Sequence, residues 1–409
     1  MSGIYLLIDY SVKFISGFIT IGLIANLIGP EDFSSLITIT NSALWISLIL
    51  SFGLDRALLT SSLEKKLVLE LSVFITFLKV LTLTLIIFFF AYFSINFQIS
   101  VFLAIGLSYE FFDYYFRRDE RFKIGAFARI TSSIVALILR LIIVFYGVDN
   151  LNWIVFTYFI EYFFSFMLMI INIEKERRIL GFKLSFPSIM EIQRSFLIGT
   201  PVMIAGSTMF FINYWPSLIG AYFFNLKDLG LFLMAQKLCD VTNIVQNAYH
   251  QSVAPKVILI TKNLNQGELT GIKKIIKIGF IIGLITIILL YFLSFIYVDY
   301  ILGEDYSEIL NILPILLLGQ FISIWSGSRS TILLGLNKTS LDLYIIVMSS
   351  FVTAVFLYFM SYFFYEFFSP LLLMAYTVLF GKFCVAFISP LFFSKGRLVI
   401  KSQLMFFTR

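Results

Sequence analysis

The sequence predicts an all-α integral membrane protein with twelve transmembrane helices in two six-helix lobes, and three observations support this prediction. Hydrophobic residues fill 60% of the 409 positions and charged residues only 13%, whereas about a quarter of the residues in soluble domains are charged. Apolar runs of spanning length, about 20 residues each, recur along the whole chain. The basic residues between these runs concentrate on one side of the predicted membrane.

The first half of the sequence contains six apolar runs, which we predict to form an N-terminal lobe over residues 1–171. An acidic turn, GPED, separates the first two runs, and polar or basic segments separate the others. Each run is long enough to cross the hydrocarbon core as a helix. The six predicted helices cover residues 4–27, 36–54, 69–93, 98–116, 130–147 and 152–171.

The second half repeats this arrangement after residues 172–195, the longest interruption, which we predict to be a cytoplasmic linker. A C-terminal lobe over residues 196–394 and a cytoplasmic tail over 395–409 complete the chain. Because each half has an even number of helices, the lobes are expected to be related by a pseudo-two-fold axis along the membrane normal. The helices of the second lobe cover residues 196–223, 229–251, 278–297, 309–336, 342–364 and 370–393.

The charges between the runs test this number of helices. Basic residues fill the segments that follow even-numbered helices, as in the cluster from Arg117 to Arg129, whereas Lys227 is the one basic residue of the opposite segments. An error in the number of helices would invert every later segment and destroy this asymmetry. The positive-inside rule therefore predicts a protein of the cytoplasmic (inner) membrane with both termini in the cytoplasm.

Composition also argues against most enzyme chemistry. The two cysteines, Cys239 and Cys384, lie in separate apolar runs, and His250 is the single histidine. Metal sites and catalytic triads usually depend on clusters of such residues, so we predict no metal, no cofactor and no catalytic residue. The net charge of +6 has no folded surface on which to form a nucleic-acid site, so nucleic acid is not a predicted partner.

Three segments resemble the polysaccharide-transporter family, and the resemblance is strongest to its O-antigen flippase (Wzx-like) branch. This family is part of the multidrug/oligosaccharidyl-lipid/polysaccharide exporter superfamily. The sequence departs from the family where Ser34 replaces the usual glycine and where Trp215 lies at a position that is often acidic. The resembling segments are IANLIGPEDFSSL after the first helix, AYFFNLKDLGLFLMAQKLCDVTNIVQNAYHQSVAPKV across the seventh and eighth, and ILGEDYSEILNILPILLLGQ at the tenth.

The resemblance implies a flippase that moves an undecaprenyl-pyrophosphate-linked oligosaccharide, an O-antigen or a similar polysaccharide repeat unit, from the cytoplasmic to the outer leaflet by alternating access. It also implies membrane lipid, a coupling ion (proton or sodium) and polysaccharide polymerase and chain-length proteins as partners. Physical chemistry adds that a sugar-pyrophosphate head group cannot cross hydrocarbon unaided. Such a protein needs a hydrated cavity with cationic walls, because Arg and Lys bind phosphate oxygens best.

Basic residues inside the apolar runs are the candidate phosphate contacts. A charged side chain at a helix centre costs about 2.5–3.5 kcal/mol on the insertion scale, so it normally faces the bundle interior or water. Lys13 and Lys237 lie near mid-depth in helices that line the cavity in the family, and Arg140 and Arg329 rank next. These four residues are predicted to bind the head group.

Acidic and aromatic residues of the same runs are the remaining candidates. Asp9, Asp240 and Glu161 are predicted either to couple an ion or to compensate charge, since Asp9 and Asp240 lie one helical turn from Lys13 and Lys237 and side chains at this spacing share a helix face. Glu161 has the alternative of pairing with Arg140. Aromatic rings with polar edges are the candidates for stacking on sugars, namely Tyr10, Trp45, Tyr214 and Trp215.

Two other classes of protein remain open at the level of sequence. The first is a membrane glycosyltransferase or polymerase that acts on lipid-linked sugars, although the predicted outer loops leave little surface for an acceptor sugar. The second is a drug exporter of the same superfamily, for which a cavity dominated by acidic residues is expected. The slight basic excess within the apolar runs favours the flippase, and we predict that the protein is not an enzyme.

Overall fold

A computed structural model describes nearly the whole chain, and the described residues are helical or lie in short turns. Ten stretches of them are long and apolar enough to cross a membrane, which makes the chain a multi-pass membrane protein. The predicted cytoplasmic tail, 395–409, lies outside the described residues except for position 397. The described residues are 2–53, 65–89, 95–118, 121–181, 187–263, 269–335, 339–364, 367–393 and 397.

Helix α1, Ser2–Leu50, contains both of the first two predicted membrane helices. We expected a loop between them, but the structure shows a kink at Gly29, whose φ of 73° and ψ of 171° are not helical. This left-handed φ favours glycine, which has no Cβ to clash. Pro30 begins the second arm, where the N–H that proline lacks has no helical partner to lose.

The other membrane helices follow the predicted order. With the two arms of α1, and with α3 and α4 forming one crossing, the described helices account for the twelve predicted crossings. In the first half these are α2 (Lys65–Phe89), α3 (Ile95–Gly106), α4 (Glu110–Arg118), α5 (Phe122–Phe145) and α6 (Leu151–Leu180). In the second half they are α7 (Ile189–Phe223), α8 (Leu226–Asn263), α9 (Leu269–Tyr297), α10 (Ile309–Gly335), α11 (Thr339–Phe363) and α12 (Pro370–Phe383), followed by a π-helical turn (Cys384–Ile388) and a short α13 (Ser389–Leu391).

The stretch predicted as a linker, 172–195, is helical at both ends. Helix α6 continues to Leu180 and ends at Gly181, whose φ of 62° and whose N–H, donated to the last carbonyls of the helix, form a left-handed cap. Helix α7 begins after Ser188, which exchanges hydrogen bonds with Glu191 in a capping box. The described helices therefore extend into the predicted linker from both sides.

The contacts between Cα atoms divide the chain into two compact units, an N-terminal unit of Met1–Ile28 and Ser35–Ser207 and a C-terminal unit of Gly29–Ser34 and Thr208–Arg409. In the N-terminal unit, α6 packs against α5 and α3. In the C-terminal unit, α10 packs against α8, α9 and α12. The lobe boundaries within 172–195 stay a prediction, since the division between these units falls inside α7.

Large apolar side chains cover the outside of both units, and polar side chains lie inside them. Phe145 and Tyr222 are among the most exposed side chains, as expected for a surface that faces lipid. Buried hydroxyl groups donate to carbonyls of their own helix, for example Ser72 to Val68 and Thr76 to Ser72. Such bonds satisfy a polar group where no water is present.

Candidate functional site

Arg140 on α5 forms a largely buried ion pair inside the N-terminal unit. Its Nη2 lies 2.6 Å from Oε2 of Glu161 on α6, and its Nε donates to Thr157. Oε1 of the same carboxylate accepts from the hydroxyl of Ser133, and the guanidinium lies 3.9 Å from the centre of the Tyr158 ring. The structure thus shows the pairing that the sequence left as the alternative for Glu161.

Arg329 on α10 is buried in the C-terminal unit, with an exposed fraction of 0%. Its Nη1 donates to the carbonyl of Val385, in the π-helical turn after α12, and its Nη2 lies 3.4 Å from Oδ1 of Asp342. A π-helical turn interrupts the regular i→i−4 ladder and leaves carbonyl groups for other donors. Arg329 therefore joins three helical elements of the same unit.

Asp9 is paired with Arg129, which the sequence assigned to a cytoplasmic segment. Helix α5 begins at Phe122, eight residues before the predicted start, so Arg129 lies inside the helix and is buried. Its Nε donates to Oδ2 of Asp9 on α1 at 2.8 Å, and its Nη1 contacts Oδ1 of Asp113 on α4. Two carboxylates and one guanidinium thus connect three helices, and Asp9 has a charge partner in its own unit.

Lys79, a further cation within the apolar runs, lies on α2 in the N-terminal unit. Its ammonium group donates to Ser47 Oγ at 2.6 Å and lies 5.5 Å from the centre of the Phe111 ring. The side chain is buried, so it does not reach toward a membrane surface. A hydroxyl and an aromatic face compensate part of the cost of burying its charge.

A small polar cavity, with room for about one water molecule, is lined by residues of the C-terminal unit. Helices α7, α8, α10 and α12 contribute its walls, and amide, carboxylate, phenol, thiol and amine groups line it. Because the cavity is enclosed by helices of one unit, it is a property of that unit alone. The lining residues are Asn213, Tyr214, Gln236, Cys239, Asp240, Leu316, Gln320, Val378 and Lys382.

Two glutamines that line this cavity have buried carbonyl oxygens. Gln236 donates its Nε2 to the backbone carbonyl of Asn213 at 2.7 Å, which fixes the orientation of the amide. Its Oε1 has no hydrogen-bond partner in the described part of the chain, and the same is true of Oε1 of Gln320. The exposed fractions of the two residues are 8% and 3%. Buried acceptors without a partner are rare in folded proteins, so these atoms mark a site for a donor or a cation.

The charged groups of the cavity are Lys382 on α12 and Asp240 on α8. Lys382 has an exposed fraction of 6%. Its stem runs past Gly319, where a Cβ would lie 3.2 Å from the Cδ of the lysine. Asp240 accepts a hydrogen bond from Asn243 at 3.0 Å, and its charge interacts with that of Lys382. No carboxylate among the described residues lies within 4.0 Å of the Lys382 ammonium nitrogen.

The other candidate residues from the sequence lie outside the lining of this cavity or outside the described residues. Lys237 lies half-buried on α8, one turn from Asp240. Trp215 donates its indole N–H to Ser350 at 2.9 Å and stacks on Phe211, so this polar edge is used inside the C-terminal unit. Trp45 is half-buried on the second arm of α1. The side chains of Lys13, Tyr10 and His250 lie outside the described residues.

The structure brings Tyr214 and Asp240 to one cavity and adds residues that the sequence analysis did not select. Gln236, Gln320 and Asn213 are neutral amides within apolar runs. The sequence analysis selected residues by the cost of placing a charge in the membrane, and neutral amides do not carry that cost. Lys382 carries that signal as a charged residue in the twelfth predicted helix. Arg140 and Arg329, in contrast, are bound to carboxylates away from this cavity.

Comparison with solved structures shows which proteins share this fold. The chain is 14% identical to an inward-facing and to an outward-facing multidrug resistance MATE family transporter of the MOP superfamily, with a TM-score of 0.67 for each. These alignments cover 98% of this chain and 99% and 95% of the two transporters. A MATE structure in the bent conformation gives 14% identity and a TM-score of 0.65 over 98% of this chain and 95% of the other.

Comparison at the level of sequence identifies the family. No curated protein matches the sequence. The family described as "Polysaccharide biosynthesis protein" matches residues 2–258, which is more than half of the chain and reaches from α1 into α8. Because it covers more than half of the chain, this match shows that the chain belongs to the polysaccharide biosynthesis protein family.

Proposed function

We propose that this protein is a flippase that moves an undecaprenyl-pyrophosphate-linked oligosaccharide, such as an O-antigen repeat unit, from the cytoplasmic to the outer leaflet of the cytoplasmic membrane. The observation that carries the proposal is a polysaccharide biosynthesis family match on a chain with the fold of membrane exporters. The head group of such a lipid loses its water in hydrocarbon without replacement. A transporter that alternates between inward and outward access gives this head group a polar route.

Lys13 and Lys237 are the proposed contacts for the pyrophosphate. Lys237 lies half-buried on α8, in the segment whose sequence carries the family resemblance. Arg140 and Arg329 were also candidates, but each would first have to leave a carboxylate, Glu161 or Asp342. Breaking a buried pair of this kind is costly, which counts against the two arginines as contacts for the head group.

The proposal is tested by transport of a fluorescent lipid-linked oligosaccharide in proteoliposomes. Lys237→Gln keeps the length and polarity of the side chain and removes its charge. Hydrogen bonds to charged groups contribute about 1.5–3 kcal/mol, so we expect the rate of translocation to fall about tenfold or more with unchanged protein yield. Lys227→Gln is the control, because Lys227 is exposed at the start of the same helix, and it should transport normally.

Three results would contradict parts of the proposal. Wild-type rates in Lys237→Gln would remove that lysine from the head-group site. A protein that extends the glycan without moving it would be an enzyme of lipid-linked sugars. Failure to move the glycolipid together with export of cationic dyes would favour the drug exporter. This is the second candidate, because the fold is shared with multidrug resistance transporters.

A further inference from the structure

Helix α8 differs from the other membrane helices in its polarity. It is long enough to cross a membrane, yet it is not among the ten apolar stretches of the described residues. Six polar side chains lie between Gln236 and Gln246, and one of them is basic and one acidic. Polar groups at membrane depth need water or polar partners, so this part of α8 cannot simply face lipid.

Three of these polar side chains, Lys237, Asp240 and Asn243, are half-buried. Asp240 lies one helical turn from each of the other two, so the three are neighbours along the helix surface. With a rise of 1.5 Å per residue, Asp240 lies about 16 Å below Leu229, the predicted start of this crossing, and thus near the middle of a hydrocarbon core about 30 Å thick. Charged side chains at this depth normally face the bundle interior or water. The half-buried side of α8 therefore borders a hydrated space.

Asp240 and Asn243 form a hydrogen-bonded pair on this side of the helix. Asn243 Nδ2 donates to Asp240 Oδ1 at 3.0 Å, which holds the two groups side by side. A carboxylate accepts several hydrogen bonds, and an amide both donates and accepts, so the pair can bind further groups. Neighbouring hydroxyl groups of a sugar ring suit this combination, because each hydroxyl also donates and accepts. A phosphate group would instead be repelled by the carboxylate.

Tyr214 on α7 adds an aromatic surface beside this pair. It lines the same small cavity as Asp240, and its side chain is half-buried. Phe210 packs on its ring, with 4.1 Å between the ring centres, and holds the ring in place. Because an aromatic ring offers an apolar body with a polar tip, it suits the apolar face of a sugar. Helices α7 and α8 thus supply both kinds of contact that a sugar needs.

We propose that Asp240 and Asn243, together with Tyr214, bind the first sugar of the lipid-linked oligosaccharide, next to the pyrophosphate at Lys237. This inference rests on the proposed function and adds a sugar site to it. The order of the side chains along α8 follows that of the substrate, in which the sugar is attached directly to the pyrophosphate. Side chains one turn apart on a helix are about 5–6 Å from each other, close to the width of a sugar ring. All four residues belong to the C-terminal unit.

Binding of two lipids that differ only in the sugar tests the proposal. The probes are an undecaprenyl-pyrophosphate-linked oligosaccharide and undecaprenyl pyrophosphate, and calorimetric titration measures the affinity of the purified full-length protein for each. The wild-type protein should bind the glycolipid more tightly. Asn243→Leu should lower the affinity for the glycolipid about three- to tenfold, as expected for the loss of one hydrogen bond, and leave the other affinity unchanged. Lys237→Gln should lower both affinities by a similar factor.

Asp240→Asn separates sugar binding from compensation of the charge of Lys237. Removal of the carboxylate charge cannot weaken the attraction between Lys237 and a phosphate group, so the affinity for undecaprenyl pyrophosphate should stay the same or rise. The affinity for the glycolipid should fall relative to it, because a hydrogen bond to an ionised acceptor is stronger than one to a neutral acceptor. An equal rise of both affinities would show that Asp240 only compensates Lys237, and it would contradict the sugar site.

Asn152→Leu is the matched control, since Asn152 is an exposed asparagine at the start of α6 in the other unit. Both of its affinities should equal those of the wild type. Melting temperatures identify the folded variants, and either Asn243→Leu or Asp240→Asn is sufficient for the test. A wild-type ratio of the two affinities in a folded variant, or equal binding of both lipids by the wild type, would overturn the sugar site and leave the flippase in place. A wild-type protein that binds neither lipid would contradict the proposed function itself.

Discussion

At the scale of single residues, the buried arginines of this protein connect helices. Arg129, Arg140 and Arg329 each contact a carboxylate that belongs to another helix of the same unit. Removal of one partner leaves the other charge buried without compensation, which is more costly than removal of both. The planar guanidinium suits this work better than an ammonium group, because it donates to several acceptors at once.

Arg140→Met tests how much the buried ion pair of Arg140 and Glu161 contributes to the stability of the protein. The variant leaves Glu161 facing an apolar side chain, so we expect the free energy of unfolding to fall by about 3–5 kcal/mol. The double variant Arg140→Met with Glu161→Leu should recover most of this loss, since no buried charge remains. Denaturant unfolding of the purified protein measures both effects.

Arg178→Met is the matched control for Arg140→Met. Arg178 pairs with Glu174 at the exposed end of α6, and exposed pairs contribute only about 0–1 kcal/mol. Equal losses in Arg140→Met and Arg178→Met would mean that burial of the Arg140 pair adds nothing to stability.

At the scale of elements, the kink of α1 packs tightly within the C-terminal unit. The backbone carbonyl of Pro30 lies against Gly230 on α8, where a Cβ would overlap it. Phe33, just after the kink, is fully buried and meets Tyr306 edge-on at 6.4 Å between ring centres. The glycine on α8 thus permits a close approach of two backbones that a side chain would prevent.

Gly230→Ala should force α8 and the carbonyl of Pro30 apart. We expect a loss of about 1–3 kcal/mol in the free energy of unfolding, as for other overpacked sites. Gly17→Ala on the first arm of α1 is the control, since nothing lies within 4 Å of a Cβ added there and alanine is a better helix former by up to about 1 kcal/mol. Thermal unfolding should show a lower melting temperature for Gly230→Ala and an equal or higher one for Gly17→Ala. The reverse order would contradict the close packing.

Asp228, in the first turn of α8, should make the stability of the protein depend on pH. Partial burial and the negative charge of Glu308 raise the pKa of Asp228 above its ordinary value. An acid with a raised pKa binds its proton more tightly in the folded state, so stability is lost as the pH rises from the unfolded pKa through the folded one. Asp228→Asn should therefore melt above the wild type at neutral pH.

The advantage of Asp228→Asn should shrink as the pH is lowered toward about 4, where the carboxyl group of the wild type becomes protonated in both states. Melting temperatures between pH 4 and pH 8 measure this change. Glu308→Gln should also raise the melting temperature at neutral pH, because it removes the repulsion between Glu308 and Asp228. An advantage that does not vary with pH would contradict the role of charge.

At the scale of the whole molecule, the distribution of loop charges predicts the orientation of the chain in the membrane. Lys227 lies at the start of α8, and Arg178 lies near the end of α6. The positive-inside rule predicts that Lys227 lies outside and that Arg178 and both termini lie in the cytoplasm. Both side chains are exposed, so reagents can reach them.

Labelling with a membrane-impermeant thiol reagent tests this orientation. Cys239 and Cys384 are buried and are replaced by alanine to give a background without thiols. Lys227→Cys should then react in intact cells, whereas Arg178→Cys should react only after the membrane is permeabilised. Reaction of Arg178→Cys in intact cells would invert the predicted topology.

Several helices extend beyond their predicted bounds, α5 by eight residues at its start, but the sequence by itself determined the membrane class and the order of the helices. These properties depend on local quantities, namely the length of each apolar run and the charge that follows it, and packing does not alter them. Even the kink at Gly29 has a local signal in the pair Gly29–Pro30, although the sequence analysis treated that segment as a loop.

Only the tertiary structure decided which polar side chains meet. Asp9 has Lys13 one turn away in sequence, yet it pairs with Arg129 from α5. Asp240 lines one cavity together with Lys382, Gln236 and Gln320 through the packing of three helices. The rotation of each helix about its axis and its depth in the bundle select these partners, and both are set by the packing of all neighbouring side chains together.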